Sequence, residues 1–454
     1  MTMPITLPLW SLLLILAFAA VTFASHFLFP SVRWFFRRRA ERAVAELNKR
    51  LVTPIQPFKL ARRHDMVMRL SYDSAVMEAV QDEAQRDGIP ENVAFERAQR
   101  YAREIVPAFS AATYFGFGIR VARWLSNALY DVRVTVADPH ALRAIPPDAT
   151  VVFVMNHRSN MDYVLVTYLV AERSALSYAV GEWARVWPMR ALVRSMGAYF
   201  IRRKALGALY RRVLARYVQM ATEAGVAQAL FPEGGLSLSG HLMPPKVGIL
   251  SYIREAEREG QPIVYVPVAL NYDRVLEDRV LVAAAQAGER RFRARIPTIL
   301  AFTAKMLGLR LRGRFRRFGR ACVTFGQPLL PGDAPRDVEA LAETLMDRIG
   351  AVMPKPPLPL VAEILLSAQR PVPRDVLVAQ VAARLGEEKD EAEALVSEGL
   401  AMARLRGLVR EGPDGLLPEP GERALLSYYA ASIAGPEPDP LLSRSAAPTS
   451  LGAT

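Results

Sequence analysis

Seven short apolar runs recur along the middle of this 454-residue chain, at 131 to 136, 150 to 155, 176 to 180, 198 to 202, 227 to 231, 262 to 269 and 320 to 325. Runs of that length, rich in β-branched residues, read as strands, and the stretches between them mostly carry helical periodicity. Strands alternating with helices build one open sheet covered on both faces. The expected fold is therefore α/β: an open, largely parallel or mixed sheet of about seven strands with flanking helices, held within residues 129 to 353. That length is ample for its own core.

The sequence on either side differs in kind. Residues 1 to 32 contain no formally charged side chain, and about twenty apolar residues suffice to cross a bilayer. Arg33, Arg37, Arg38, Arg39 and Arg42 follow at once, so the positive-inside rule predicts a single-pass transmembrane anchor with the body of the protein facing the cytoplasm. Residues 33 to 128 read as a basic juxtamembrane and helical region. Pro354 to Pro359 is proline-rich and reads as a linker. Residues 360 to 434 form a small, mainly helical module whose order, three helices and then the turn Glu411 to Gly415, fits a winged helix. The remainder, 435 to 454, is rich in Pro, Ser and Ala and is expected to be disordered.

Charge narrows the partners. A formal net charge of +13 favours anionic lipid headgroups, acyl carrier protein or the phosphates of coenzyme A. Arg290 to Arg320 is the densest cationic stretch, and from Leu309 to Phe318 it interleaves cations with apolar residues, a pattern suited to a headgroup surface or to a charge-guarded edge strand. Nucleic acid is not expected. No recognised binding module accompanies the charge, and the third C-terminal helix carries Asp390, Glu391, Glu393 and Glu398, which repel phosphates. The single cysteine, Cys322, excludes an internal disulfide and reads as a packing residue. No Cys/His cluster has metal-ligand spacing, so neither a metal nor a cofactor is expected.

The chemistry concentrates where the second apolar run ends, in Asn156-His157-Arg158-Ser159-Asn160-Met161-Asp162. Positions five apart face different sides of a helix. His157 and Asp162 therefore meet only if the histidine sits in the turn before a helix and the aspartate in its first turns. Asp162 then accepts from one imidazole nitrogen, and the other is free to take a proton from a hydroxyl. Ser159 and Asn160 either bind ligand or cap the helix. Three further runs end in comparable polar chemistry: Gly197 to Phe200 with Arg202, Arg203 and Lys204 at its exit; Phe231-Pro232-Glu233-Gly234-Gly235; and Pro262 to Tyr272.

These segments resemble the four ordered blocks of the glycerolipid acyltransferases, and most closely the glycerol-3-phosphate acyltransferase branch. The blocks are Asn156-His-Arg-Ser-x-Met-Asp162-Tyr, then Gly197-Ala-x-Phe-Ile-Arg-Arg203, then Glu233-Gly-Gly with Pro244-Pro-Lys246-x-Gly248, then Val266-Pro-Val268. Gly181 to Pro188 is similar to a segment of that branch as well, and the likeness spans about residues 95 to 330. It implies an O-acyltransferase that moves a fatty acyl group from acyl-CoA or acyl carrier protein to a hydroxyl of glycerol 3-phosphate. His157 would be the general base, oriented by Asp162. Amides of the Gly234-Gly235 turn would meet the developing oxyanion. Arg202 leads the residues expected to bind the phosphate, followed by Arg203 and Lys204. Glu233 would touch the acceptor or brace the His157 loop.

The third block departs from the family pattern, with Leu236 and Leu238 where basic residues are usual. Lys246, Arg194 or the Arg202 cluster would then have to supply the missing charge. The departure leaves two alternatives open: lysophosphatidate or another polar lipid as acceptor, and a non-catalytic membrane adaptor that retains the fold.

Overall fold

The computed structural model describes residues 8–171, 174–181, 189–202, 207–257, 262–288, 312 and 315–435, with the backbone alone at 20, 21, 23–37 and 40. The chain divides into two compact units, Met1–Ile55 and Gln56–Thr454. The first is dominated by one helix, Leu9–Asn48, which does not stop where the apolar run stops. It continues through the arginines because 33 to 48 is built of good helix formers and lacks Gly and Pro. Among the described residues no helix is long and apolar enough to cross a membrane, so the membrane helix expected over 1 to 32 is not found there. Much of that stretch, residues 1–7 and the side chains at 20, 21 and 23–32, lies outside the described residues.

The second unit is organised by a seven-stranded mixed sheet of order β1-β7-β6-β2-β5-β3-β4. Its strands are β1 (Asp131–Val136), β2 (Thr150–Met155), β3 (Ser177–Val180), β4 (Tyr199–Phe200), β5 (Gln228–Leu230), β6 (Ile263–Tyr272) and β7 (Arg320–Phe325). All neighbours are parallel except β6 and β7. Every residue of β2 and β6 is buried, as expected of central strands covered on both sides.

Alternation assigns the two faces. Val151, Phe153 and Met155 of β2, with Val264, Val266, Val268 and Leu270 of β6, pack into one core. Val152 and Val154, with Ile263, Tyr265 and Ala269, pack into the other. The first core is closed by the helix Met161–Leu169 and by the C-terminal segment. The second is closed by the helices Arg63–Ser71, Ser74–Asp87, Glu91–Ile105, Ala208–Glu223 and Val338–Ala351.

The C-terminal segment comprises the helices Pro357–Ser367, Arg374–Leu385 and Lys389–Leu405, the hairpin β8 (Val409–Gly412) and β9 (Gly415–Pro418), and the helix Arg423–Ala431. The stretch read as a linker is shorter than its prolines imply. Pro357 and Pro359 lie in the first turn of a buried helix, where the missing N–H groups have no intrahelical partner to lose. The segment shares the core of the sheet, through Leu358, Val361, Leu365, Leu425 and Tyr429 among others. Cys322 is half-buried in β7, its thiol pushed up to about 12 by burial. Of the cationic stretch Arg290 to Arg320, residues 290–311, 313 and 314 lie outside the described residues, as do 436–454.

Candidate active site

β2 delivers Asn156 to Asn160 at the carboxyl edge of the parallel strands, where ligands of open α/β sheets bind. The first residue extends the sheet by proxy. Asn156 Oδ1 accepts from Leu270 N (2.7 Å) and its Nδ2 donates to Leu270 O (2.9 Å), so a side-chain amide continues the β2–β6 ladder past Met155. His157 follows, 3% exposed, stacked on Phe231 with ring centroids 4.2 Å apart and met edge-on by Tyr163.

Asp162, in the first turn of Met161–Leu169, organises the turn. Its Oδ2 lies 2.9 Å from His157 Nδ1 and accepts the amides of Arg158 (2.7 Å) and Ser159 (3.0 Å). Its Oδ1 accepts from the Tyr272 hydroxyl at 2.5 Å. An oxygen already receiving two N–H groups acts as an acceptor, which places the imidazole proton on Nδ1. Nε2 then keeps a lone pair and makes no hydrogen bond among the described residues. Burial and the facing carboxylate push the Tyr272 hydroxyl well above its ordinary range, so it stays a donor.

Glu233, just beyond β5, braces the same loop. Oε1 accepts from His157 N (2.8 Å), Oε2 from Met243 N (3.3 Å), and its carbonyl accepts from Lys246 Nζ (2.9 Å). Burial pushes its carboxyl up to about 7, against the pull of Arg158 and those two amides. The consequence for stability has a definite sign. A folded-state value above the unfolded one means the native fold binds the proton more tightly, so stability is lost as pH rises from about 4.5 through 7. Glu233→Gln should flatten that part of the profile, removing roughly 2–4 kcal/mol of pH dependence. Urea unfolding of both proteins between pH 4.5 and 8 measures the difference, and parallel profiles would refute it.

Of Ser159 and Asn160, only Ser159 bonds the start of the helix, and both pair with Glu277. The Ser159 hydroxyl accepts from Met161 N (3.1 Å), a helix-capping bond, and donates to Glu277 Oε2 (2.8 Å). Asn160 makes no capping bond and instead gives its backbone and side-chain N–H groups to Glu277 Oε1. The Gly234 amide is committed to Phe231 O (3.0 Å), where its φ of 68° closes the turn, so it is not available to an oxyanion. The Gly235 amide makes no hydrogen bond among the described residues and remains a candidate donor. Leu236 is buried in the core and Leu238 packs against it, so both apolar replacements serve packing.

Arg202 emerges after β4 on the same sheet edge, three strand spacings or about 14 Å from β2. It forms a bidentate pair with Glu104, with Nε–Oε1 2.9 Å and Nη2–Oε2 2.6 Å, and lies over the rings of Tyr101 and Tyr210. Arg194 turns to the carbonyls of Arg103 and Glu104. Arg203, Lys204 and residues 182–188 lie outside the described residues. The structure thus brings together His157, Asp162, Ser159, Glu233 and Lys246, and holds Arg202 in a neighbouring ion pair. Sequence reasoning missed Tyr272, whose only signal was its place at the end of the run Pro262 to Tyr272, and Glu277, which lies beyond that run and carried none.

Among the described residues, no group of His, Cys, Asp or Glu is arranged to hold a metal ion. Residues 133–271 match the family model for acyltransferases. The glycerol-3-phosphate acyltransferase of Aeromonas hydrophila subsp. hydrophila is 32% identical over 351 residues, covering 71% of this chain and 42% of that protein. That of Pseudomonas entomophila is 32% identical over 301 residues, covering 64% and 34%. This chain therefore spans less than half the length of these relatives. The solved 1-acyl-sn-glycerophosphate acyltransferase of Thermotoga maritima aligns at 17% identity with a TM-score of 0.32, over 62% of this chain and 94% of that one. Residues 133–271, which contain the His157–Asp162 pair, are similar to the acyltransferase family, and over most of its length this chain resembles glycerol-3-phosphate acyltransferases.

Proposed function

We propose that this protein transfers a fatty acyl group from an acyl thioester, acyl-CoA or acyl carrier protein, to a hydroxyl of glycerol 3-phosphate at a membrane surface. The observation that carries the reading is the His157 imidazole, fixed through Nδ1 by a carboxylate and with no hydrogen bond at Nε2 among the described residues. A sugar-like hydroxyl is too weak an acid to attack unaided, so Nε2 takes its proton as the oxygen attacks the thioester carbonyl. Asp162 stabilises the imidazolium that results. The thiolate is a good leaving group, and direct attack needs no acyl-enzyme. The Gly235 amide is the local donor for the carbonyl oxygen as charge develops.

Phosphate recognition falls to Arg202, with Arg203 and Lys204 beside it in sequence. Its planar guanidinium suits two phosphate oxygens as well as it suits Glu104, so acceptor binding exchanges one bidentate partner for another. The net charge of +13 supports anionic headgroups as the surrounding surface. Lysophosphatidate or another polar lipid is the second reading, because buried Leu236 and half-buried Leu238 depart from the basic residues usual at these positions among glycerol-3-phosphate acyltransferases.

The full chain, supplied with labelled acyl thioester and a panel of acceptors, tests this directly. Glycerol 3-phosphate is expected to be acylated in preference to lysophosphatidate and to unphosphorylated glycerol. Arg202→Ala should raise KM for the acceptor about tenfold or more with kcat nearly unchanged, as loss of a charge-assisted pair predicts. An acceptor profile identical to the wild type would discard the phosphate role of Arg202, and failure to acylate any acceptor would discard the function.

A further inference from the structure

The acyltransferase family match ends at residue 271, yet several of the groups that hold the His157 loop lie beyond it. Arg158 is 1% exposed, and its guanidinium is spent on backbone carbonyls. Nη1 donates to Gly240 O and to His241 O (3.3 Å), and Nη2 donates to Ser432 O (3.2 Å), just past the last helix. The Ser432 hydroxyl in turn accepts from Asn271 Nδ2 (3.1 Å) at the end of β6. Gly240 shows how closely the last helix sits: a Cβ there would collide with the carbonyl oxygen of Tyr428.

A second connection runs through the loop after β6. Arg406, at the end of the helix Lys389–Leu405, pairs with Asp278 (Nη2–Oδ2 2.5 Å) and donates through Nη1 to the Tyr429 hydroxyl (2.8 Å). That hydroxyl donates to Asp278 and accepts from Val275 N (3.1 Å). These bonds fix the turn 273 to 278, which presents Glu277 to Ser159 and Asn160. All of these side chains except Asn160 are buried or nearly so, a setting in which each hydrogen bond is costly to leave unmade.

We propose that the C-terminal helical segment is a positioning element for acyl transfer: Tyr429 and Arg406, acting through Asp278 and Glu277, and Ser432, acting through Arg158, set the orientation of His157. None of them touches the reacting atoms. They hold the loop residues on either side of the imidazole, so their loss misaligns the base without emptying the substrate pocket. The proposal rests on the acyl-transfer reading above.

Tyr429→Phe in the full chain is the test, because it removes one hydroxyl and keeps the ring that packs in the core. The expected result is a kcat lowered about 10- to 100-fold with KM for both substrates within about twofold, the signature of a displaced catalytic group. A second readout needs no substrate. In protein labelled with ¹⁵N-histidine, the His157 Nδ1 proton facing Asp162 should move or broaden in Tyr429→Phe. Leu377→Ala, buried in the helix Arg374–Leu385, weakens the same segment without removing any of these bonds. It should lower Tm while leaving kcat and the resonance as in the wild type. Wild-type kcat in Tyr429→Phe, or an equal loss of kcat in Leu377→Ala, would overturn the proposal. If the wild type acylates nothing, the functional reading falls and the resonance alone decides: unmoved, it overturns the positioning role as well.

Discussion

Replacing His157 by alanine is expected to lower the rate of acyl transfer about 10²- to 10⁴-fold, the range a positioned general base contributes. KM for both substrates should stay within about twofold, because a group that acts only as the proton moves contributes to the transition state rather than to uniform binding. The fold should survive, with a lower Tm. Alanine removes the ring stacked on Phe231 and one of the four donors that converge on Asp162, but the amides of Arg158 and Ser159 and the Tyr272 hydroxyl remain to satisfy the carboxylate. Steady-state kinetics on protein shown by circular dichroism to be folded provide the measurement. Transfer at the wild-type rate would show that the imidazole is structural and that the base lies elsewhere.

The pair was legible in the sequence because it is local: five residues, one strand end and one helix start contain all the geometry needed. The strands were legible for a related reason. β2 and β6 are buried on both faces, so their apolar runs are nearly continuous and their limits show. What closes the site was not legible, because it depends on strand order. Tyr272 reaches Asp162 across 110 residues only because β6 lies beside β2, and Glu277 reaches Ser159 across 118 for the same reason. No periodicity encodes that adjacency, nor the placing of β7 between β1, to which it is parallel, and β6, to which it is antiparallel. Arg202 shows the converse. Its charge was evident in the sequence, but Glu104, 98 residues away on the helix Glu91–Ile105, could not be paired with it before that helix was seen to pack beside β4. Leu236 was conspicuous as a missing cation. Its burial shows a position recruited to the core, which a residue type alone does not announce.

Asp162 is where the two halves of the site meet, and substitutions there should separate chemistry from folding. Asparagine at this position can keep the geometry: its amide oxygen takes the place of Oδ2, accepting from His157 Nδ1 and the two amides, while its NH₂ faces a Tyr272 hydroxyl free to rotate and accept. The proton stays on Nδ1 and the loop keeps its shape. What is lost is the negative charge that stabilises the imidazolium, so Asp162→Asn should fold normally and lose about 10²- to 10⁴-fold in kcat. Asp162→Ala is a different experiment. It leaves four donors facing a site that is fully buried, at roughly 1–3 kcal/mol for each one orphaned, a large fraction of the stability of any domain. That variant should unfold at much lower urea or fail to accumulate. If the alanine variant were as stable as the asparagine one, Asp162 would not organise the turn; if the asparagine variant turned over as fast as the wild type, its charge would play no part in catalysis.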